Sequence, residues 1–210
     1  MDRKEVTRDT YDQIAEDYAR RDKRREDEGP LVTGMLDYFI AKLSRGARVL
    51  DIGHGGGRDS RYLRKAGLEV VGIDNSQGMV EEASRVDPAG DYRLMDLEEL
   101  RFEAQSFDGV WANASLHHAP REILPRILKD IFQILKVSGF LEVIVKQGDW
   151  SGVRENERFG RVLRRYFTFY QPEQLSSLLR EAGFRVLSCT SEFEEEWVYA
   201  LAREPRGEGQ

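Results

Sequence analysis

Three glycines stand at alternate positions, Gly53, Gly55 and Gly57, between a short apolar run (47–52) and a segment with the apolar spacing of a helix (58–67). The pattern predicts a strand, a tight turn and a helix. Glycines permit positive φ and let a ligand lie against bare main chain, and the start of the helix offers unpaired N–H groups to negative charge. We therefore expect this turn to bind a small molecule.

The spacing of the glycines excludes two common nucleotide sites. A dinucleotide fingerprint, G-x-G-x-x-G, would need a third glycine where Arg58 or Ser60 stands. A phosphate P-loop would end in Gly-Lys-Ser/Thr, whereas Asp59 brings a carboxylate that would repel phosphate. The pattern that remains is D-x-G-x-G-x-G, which begins at Asp51.

Acidic residues also stand at the ends of two further predicted strands. Asp74 ends EVVGID (69–74), and Asp96 follows DYRLM (91–95). A carboxylate at the end of the second strand can accept two hydrogen bonds from a ribose diol bound in the crevice of such a sheet. The alternative role for Asp74 is a helix cap, but Ser76 can supply that cap. The sequence therefore favours ribose binding by Asp74.

The D-x-G-x-G-x-G motif and two other segments resemble class I S-adenosylmethionine-dependent methyltransferases, in particular the methyltransferase type 11 or UbiE-like family. The two segments are Y-D-x-x-A-x-x-Y at 11–18 and FDGVWA at 107–112, and the resemblance extends over about residues 5–200. It implies a doubly wound, mostly parallel seven-stranded α/β sheet with an antiparallel edge hairpin. It also implies S-adenosylmethionine as cofactor, S-adenosylhomocysteine as product and no metal.

The resemblance implies roles for individual residues. The glycine turn would hold the methionyl part of the cofactor, Asp51 would orient its ammonium group, and Asp74 would bind the ribose. Asp96 would accept a hydrogen bond from the adenine amino group. The residues predicted to bind the cofactor are Tyr11, Tyr18, Asp51, Gly53, His54, Gly55, Gly57, Asp74, Asn75, Met79, Asp96, Leu97 and Asn113. Tyr11 and Tyr18 belong to an N-terminal lid helix, predicted over about residues 4–22.

Two histidines, His117 and His118, follow the fourth predicted strand. Histidine can accept a proton near neutral pH, so both are candidate catalytic bases, and we prefer His118. The alternative is that they position the following loop through hydrogen bonds. No dedicated base is needed if the acceptor is already ionised, so the sequence leaves the assignment open.

Arginines alternate with aromatic residues in the segment 148–170. One interpretation is a solvated helix with its aromatic side in the core. The other, which we favour, is a substrate lid in which Arg158, Arg161 and Arg165 recognise a carboxylate or phosphate through paired hydrogen bonds. A second charged run, residues 20–29, is predicted to be a solvated loop.

Composition indicates the domain organisation, the cellular location and the absence of disulfides and structural metals. The chain has 210 residues, 40% of them apolar, which predicts one domain over residues 1–204 and a flexible tail at 205–210. The N-terminal residues are charged and no apolar run is long enough to span a membrane, so we expect a cytoplasmic protein. With one cysteine and no clustered metal ligands, neither a disulfide nor a structural metal is expected.

The net charge of −6 argues against a nucleic-acid surface over the whole chain. We therefore expect methyl transfer by in-line displacement to a small molecule, with an anionic acceptor as one option. A modified nucleotide in tRNA is the alternative, which the arginines of 20–25 and 154–165 would permit if they converge. A cofactor-binding module without turnover is less favoured. The sequence does not indicate the oligomeric state.

Overall fold

The computed structural model describes residues 2–27, 33–191 and 196–205, and strands and helices alternate along them. The helices are α1 (Arg3–Asp27), α2 (Thr33–Ile40), α3 (Arg58–Lys65), α4 (Gln77–Val86), α5 (Leu124–Ile134) and α6 (Pro172–Glu181), with a 3₁₀ turn at Leu116–His118. The strands are β1 (Arg48–Ile52), β2 (Glu69–Asp74), β3 (Asp91–Leu94), β4 (Phe107–Asn113), β5 (Leu135–Lys146), β6 (Ser151–Arg158), β7 (Arg161–Thr168), β8 (Arg185–Thr190) and β9 (Trp197–Arg203).

Seven of these strands form one sheet in the order β3-β2-β1-β4-β5-β9-β8. The five strands from β3 to β5 are parallel, and β9 is antiparallel to both β5 and β8. This arrangement confirms the predicted fold, including the antiparallel edge hairpin. Because β1 lies where the chain order reverses, the glycine turn after β1 is at the position where open α/β sheets bind ligands.

The sheet is covered on both faces, as parallel strands require. On one face, Leu50 and Val143 are buried together with the apolar residues of α5 and α6. On the other face, Val49 and Trp111 pack in a second cluster with Phe39 of α2. Alternate residues of one strand therefore pack in the apolar clusters on opposite faces of the sheet. Because both faces are buried, the strands are nearly continuous apolar runs in the sequence.

Strands β6 and β7 form a separate antiparallel sheet, so the helix considered for residues 151–167 was wrong. Arg158 pairs with Arg161 around a two-residue loop, Phe159–Gly160, in which both residues have positive φ (54° and 67°). That is the geometry of a type I′ hairpin turn, which aligns with the twist of its strands. Leu163 and Phe167 face inward and are buried.

Helix α1 continues to Asp27, so the loop predicted for residues 20–29 was wrong over 20–27. Its charges are compatible with a helix because Arg20 pairs with Glu16 at 2.6 Å, at the i,i+4 spacing that supports helices. Residues 28–32 lie outside the described residues, as does all of the predicted tail except Pro205. In the described ranges, no helix has an apolar stretch long enough to cross a bilayer.

Candidate active site

A cleft opens at the carboxyl ends of the parallel strands, beneath α1. The cleft is partly open to solvent, and its cavity has a volume of about 80 Å³. The predicted site residues that line it are Tyr11, Tyr18, Gly53, Gly55, Asp74, Asn75, Leu97, Asn113 and His118. The structure thus brings together residues from α1 and from the ends of four strands.

Asp74 is held in place by backbone donors at the floor of this cleft. Its Oδ2 accepts a hydrogen bond from the N–H of Gly55 (3.1 Å) and its Oδ1 one from the N–H of Ser76 (2.9 Å). The cap of α4 is the Ser76 side chain, which accepts from the N–H of Met79 (3.1 Å). Each carboxylate oxygen has two lone pairs, so both oxygens of Asp74 keep one for a ligand.

The glycine turn is tightly packed. A Cβ on Gly53 would lie 2.4 Å from Cβ of Ser115, and one on Gly55 would lie 3.1 Å from Cε1 of Tyr18. Both glycines have positive φ (76° and 54°), which side chains disfavour. Gly57 differs, because it caps α3 and faces Tyr92 rather than the cleft. Two of the three glycines, Gly53 and Gly55, therefore line the cleft.

Asp59, in the first turn of α3, orients the side chain at the end of β4. Its Oδ2 accepts hydrogen bonds from Trp111 Nε1 and Asn113 Nδ2, both at 2.9 Å, and its Oδ1 accepts from Arg58 Nε at 2.7 Å. Burial alone would raise the pKa of Asp59, but Arg58 and these bonds lower it below the usual value. Asn113 consequently presents its carbonyl oxygen as an acceptor. This role of Asp59 was not predicted. Its signal in the sequence is a carboxylate directly after the glycine turn.

At the opposite end of the cleft, His118 joins three elements. Its Nδ1 is 2.6 Å from the carbonyl oxygen of Tyr166 in β7, and its Nε2 is 2.9 Å from the hydroxyl of Tyr11 in α1. Arg165 Nη1 donates to the same hydroxyl at 3.3 Å. Burial, with a further contribution from the Arg165 charge, lowers the pKa of His118 to about 4. His118 is therefore neutral at physiological pH.

His117 lies behind His118 and does not line the cleft. It is buried, its Nδ1 accepts a hydrogen bond from the N–H of Lys146 (3.3 Å), and burial lowers its pKa well below the usual value. The structure offers His117 no contact with a substrate, and it favours the alternative role of positioning.

Comparison with known proteins identifies the family of this chain. A family model described as a methyltransferase domain matches residues 49–139. The ubiquinone biosynthesis O-methyltransferase of Xanthomonas axonopodis pv. citri is 31% identical over 176 residues, which cover 77% of this chain and 73% of that protein. The chain belongs to the class I S-adenosylmethionine-dependent methyltransferases. A malonyl-[acyl-carrier protein] O-methyltransferase of Enterobacter lignolyticus is 29% identical over 162 residues, covering 72% of this methyltransferase and 64% of that protein.

Solved structures agree with this assignment. The 1,6-didemethyltoxoflavin-N1-methyltransferase of Burkholderia thailandensis, solved with its substrate and S-adenosylhomocysteine, superposes with a TM-score of 0.65 at 26% identity. The match covers 93% of this methyltransferase and 87% of that chain. A TehB-like methyltransferase from Corynebacterium glutamicum gives a TM-score of 0.71 at 19% identity, covering 90% and 97%, which supports the fold alone.

Asp51 lies beneath the glycine turn of this methyltransferase and not in the cleft. It is 2% exposed and accepts a hydrogen bond from Ser60 Oγ at 2.6 Å. Burial and the neighbouring carboxylate of Asp59 raise the pKa of Asp51. Asp51 therefore does not reach the cleft directly, and any effect that it has on the ammonium group would have to pass through an intervening group.

Three further predicted residues also lie outside the lining of the cleft, namely His54, Met79 and Asp96. His54 packs on Tyr92, with ring centroids 4.8 Å apart, and its Nδ1 bonds to the carbonyl of Gly55. Met79 is buried under α1. Asp96 lines an adjoining depression and accepts a hydrogen bond from Lys4 Nζ at 2.7 Å.

Only Arg165, among the three arginines predicted to bind substrate, is near the cleft. Arg161 donates to the backbone carbonyl of Gln13 and so fastens β7 to α1. Arg158 lies over the ring of Phe159 at the tip of the hairpin. The hairpin turn carries both residues away from the strand ends.

Helix α1 and the β6–β7 hairpin enclose the cleft together. Thr10 Oγ1 donates to the carbonyl of Arg164 at 2.6 Å, and the N–H of Tyr166 donates to Thr7 Oγ1 at 2.9 Å. These bonds join the two elements side by side over the strand ends. Among the described residues, no group of His, Cys, Asp or Glu side chains is arranged to hold a metal ion.

Proposed function

We propose that this chain transfers a methyl group from S-adenosylmethionine to a small molecule that carries an anionic group, by in-line displacement. The observation that carries the proposal is a cleft with two chemically different ends. One end has the glycine turn and the anchored carboxylate of Asp74. The other end has Tyr11 and His118, next to Arg165, which has no carboxylate partner among the described residues.

The first end suits an adenosyl sulfonium. Asp74 would hold the ribose hydroxyls, Asn75 and Leu97 would frame the adenine, and the carbonyl oxygen of Asn113 would accept from the ammonium group. When bound, the cofactor supplies an activated methyl group, so the protein has mainly to position the acceptor and exclude water. Helix α1 and the hairpin provide that exclusion, because they cover the cleft.

The second end favours an anionic acceptor. Arg165 bonds to Asn156 Oδ1 (2.8 Å) and to the Tyr11 hydroxyl, while its Nε is buried without a partner among the described residues. The guanidinium group of Arg165 matches the geometry of carboxylates and phosphates, so a substrate that carries one of these groups would fit this end of the cleft.

The tRNA alternative has less support. Arg20 and Arg21 are paired with acidic residues of their own helix, and the side chains of 23–25 lie outside the described residues. The relatives are named as a malonyl-[acyl-carrier protein] O-methyltransferase and a ubiquinone biosynthesis O-methyltransferase. Neither name refers to a nucleic acid, which supports an acceptor of another class.

A methyl-labelled cofactor distinguishes these proposals. The protein is incubated with labelled S-adenosylmethionine and either a mixture of hydroxy and amino carboxylic acids and phosphates or bulk tRNA. We expect label in the small-molecule fraction. Label in tRNA, or tight salt-sensitive binding to tRNA, would favour the alternative. A calorimetric titration with S-adenosylhomocysteine that gave no binding would reject both.

A further inference from the structure

We propose that Tyr11 is the residue that contacts the nucleophile, as a hydrogen-bond acceptor, and that His118 is the positioning residue that fixes this direction. The inference rests on the proposed function and names the acceptor's class. The nucleophile enters still carrying a proton, as a hydroxyl or an N–H group. A thiolate, a carbanion or a tertiary amine would not fit.

The direction of the hydrogen bonds follows from one backbone carbonyl. The carbonyl oxygen of Tyr166 can only accept, so Nδ1 of His118 must carry the proton in the 2.6 Å bond between them. A neutral imidazole has one N–H, so Nε2 is an acceptor. The partner of Nε2 is the hydroxyl of Tyr11 at 2.9 Å, which must therefore donate.

Because the hydroxyl proton of Tyr11 is donated to His118 Nε2, the Tyr11 oxygen can only accept a hydrogen bond from a ligand. A phenol oxygen has two lone pairs, and Arg165 Nη1 donates to one of them at 3.3 Å. One lone pair remains. Burial raises the pKa of Tyr11 to about 12, which keeps the phenol protonated and the direction fixed.

A second unpartnered group faces the same cleft. Ser115 is 4% exposed, and its Oγ has no hydrogen-bond partner among the described residues. Buried polar groups are rarely left unpaired, so Ser115 Oγ also points to a polar ligand. A hydroxyl nucleophile could donate to Tyr11 and accept from Ser115.

This arrangement differs from general-base catalysis by His118. Both ring nitrogens are already bonded, and the imidazole is held neutral beside the charge of Arg165. In the proposed arrangement, Tyr11 turns a lone pair of the nucleophile toward the methyl donor. Once the new bond to carbon has formed, the nucleophile's proton is lost to solvent at the open side of the cleft, so Tyr11 and His118 finish unchanged.

The test uses two probes with the same carboxylate, 4-hydroxybenzoate and 4-fluorobenzoate, which differ in one hydrogen-bond donor. Each is titrated into the protein saturated with S-adenosylhomocysteine. We expect the hydroxy compound to bind about tenfold more tightly, the effect of one hydrogen bond. In Tyr11→Phe, the ratio should fall to about one, whereas Tyr62→Phe, which loses a hydroxyl bonded to Asp37 outside the cleft, should keep it.

His118→Phe separates positioning from a structural role. Tyr11 is retained but is no longer held as an acceptor, so the ratio of the two affinities should fall. A purely structural role would weaken both probes equally. Equal binding of the two probes to the unaltered protein, or a preserved preference in Tyr11→Phe, would overturn the inference.

A ¹⁵N NMR spectrum of the S-adenosylhomocysteine complex gives a readout independent of any acceptor. We expect His118 as the neutral Nδ1–H tautomer at pH 7, and a shift of its Nε2 resonance in Tyr11→Phe. The Nε2–H tautomer or an imidazolium would overturn the inference. Failure of S-adenosylhomocysteine to bind at all would instead reject the proposed function.

Discussion

The carboxylate of Asp12 in α1 accepts a hydrogen bond of 2.6 Å from Ser76 Oγ, the residue that caps α4. The same Oδ1 accepts from the N–H of Gly78 at 2.9 Å. These bonds fasten one side of α1 to the start of α4, which follows Asp74, while the hairpin holds the other side. The cover of the cleft is thus tied directly to the end of β2, where we propose that the ribose binds.

Asp12→Ala should loosen this cover. The two hydrogen bonds contribute roughly 1–3 kcal/mol together, so we expect faster release of S-adenosylhomocysteine and easier tryptic cleavage within α1. Asp9→Ala is the matched control, because Asp9 is on the same helix and pairs only with exposed Arg8 among the described residues. Equal dissociation rates for the two variants in stopped-flow measurements would contradict this role for Asp12.

Asp74→Ala should weaken binding of S-adenosylhomocysteine by roughly 1–3 kcal/mol, the range for hydrogen bonds to a charged group. The loss has two parts, since the ribose contacts disappear and the N–H of Gly55 loses its acceptor. Asp91→Ala serves as control, because that carboxylate is exposed at the start of β3 and pairs with Arg93. Calorimetry is the measurement, and an unchanged dissociation constant for Asp74→Ala would remove the ribose assignment.

Gly55→Ala should both destabilise the protein and weaken cofactor binding. The new Cβ would meet the Tyr18 ring at 3.1 Å, at a φ of 54° that alanine disfavours. Gly46→Ala isolates the backbone part, because Gly46 has a φ of 77° and no atom within 4 Å of the added Cβ. The positive φ alone should lower the free energy of unfolding by about 1 kcal/mol in each of the two variants. Gly55→Ala should lose more, because its Cβ also contacts the Tyr18 ring. Urea denaturation should therefore rank Gly55→Ala below Gly46→Ala.

The end of the cleft at which we propose cofactor binding could be located from the sequence because its signals are local. Gly53 and Gly55 lie between a strand and a helix that the apolar periodicity predicts, and Asp74 ends a second apolar strand. Met79 does not line the cleft for a tertiary reason, since α1 packs over it. Its contacts depend on the docking angle of a helix more than sixty residues earlier in the chain, which local spacing does not encode.

The acceptor end could be predicted only in part. His118 and Arg165 were recognised as residue types, but their roles depend on a bond to the Tyr166 carbonyl, 48 residues away. The hairpin that supplies this carbonyl was missed because its turn lacks the usual Asn-Gly or Asp-Gly signal and places Phe159 at positive φ. Charged residues on its outer face also obscured the strand alternation.

His118 should make stability fall at acid pH. Its pKa is about 4 in the folded protein against 6.5 for the free side chain, so the unfolded chain binds more protons between these values. The stability is fully present above pH 6.5 and is lost as the pH falls toward 4. The loss is at most roughly 3.4 kcal/mol. Urea titrations from pH 7 to 4.5 should show a steeper decline than in His118→Phe; identical slopes would mean that the pKa of His118 is the same in the folded and unfolded states.

Glu142 in β5 should have the opposite effect. It is buried, its Oε2 has no hydrogen-bond partner among the described residues, and burial raises its pKa from 4.5 to about 8. The folded protein therefore binds the extra proton between these values, and the stability present below pH 4.5 is lost as the pH rises to 8.

Glu142→Gln removes this titration while keeping the shape of the side chain. The difference in unfolding free energy between Glu142→Gln and the unaltered protein should shift in favour of the variant by a few kcal/mol from pH 5 to pH 8.5. A constant difference between Glu142→Gln and the unaltered protein across that range would show that the carboxylate ionises normally within the sheet.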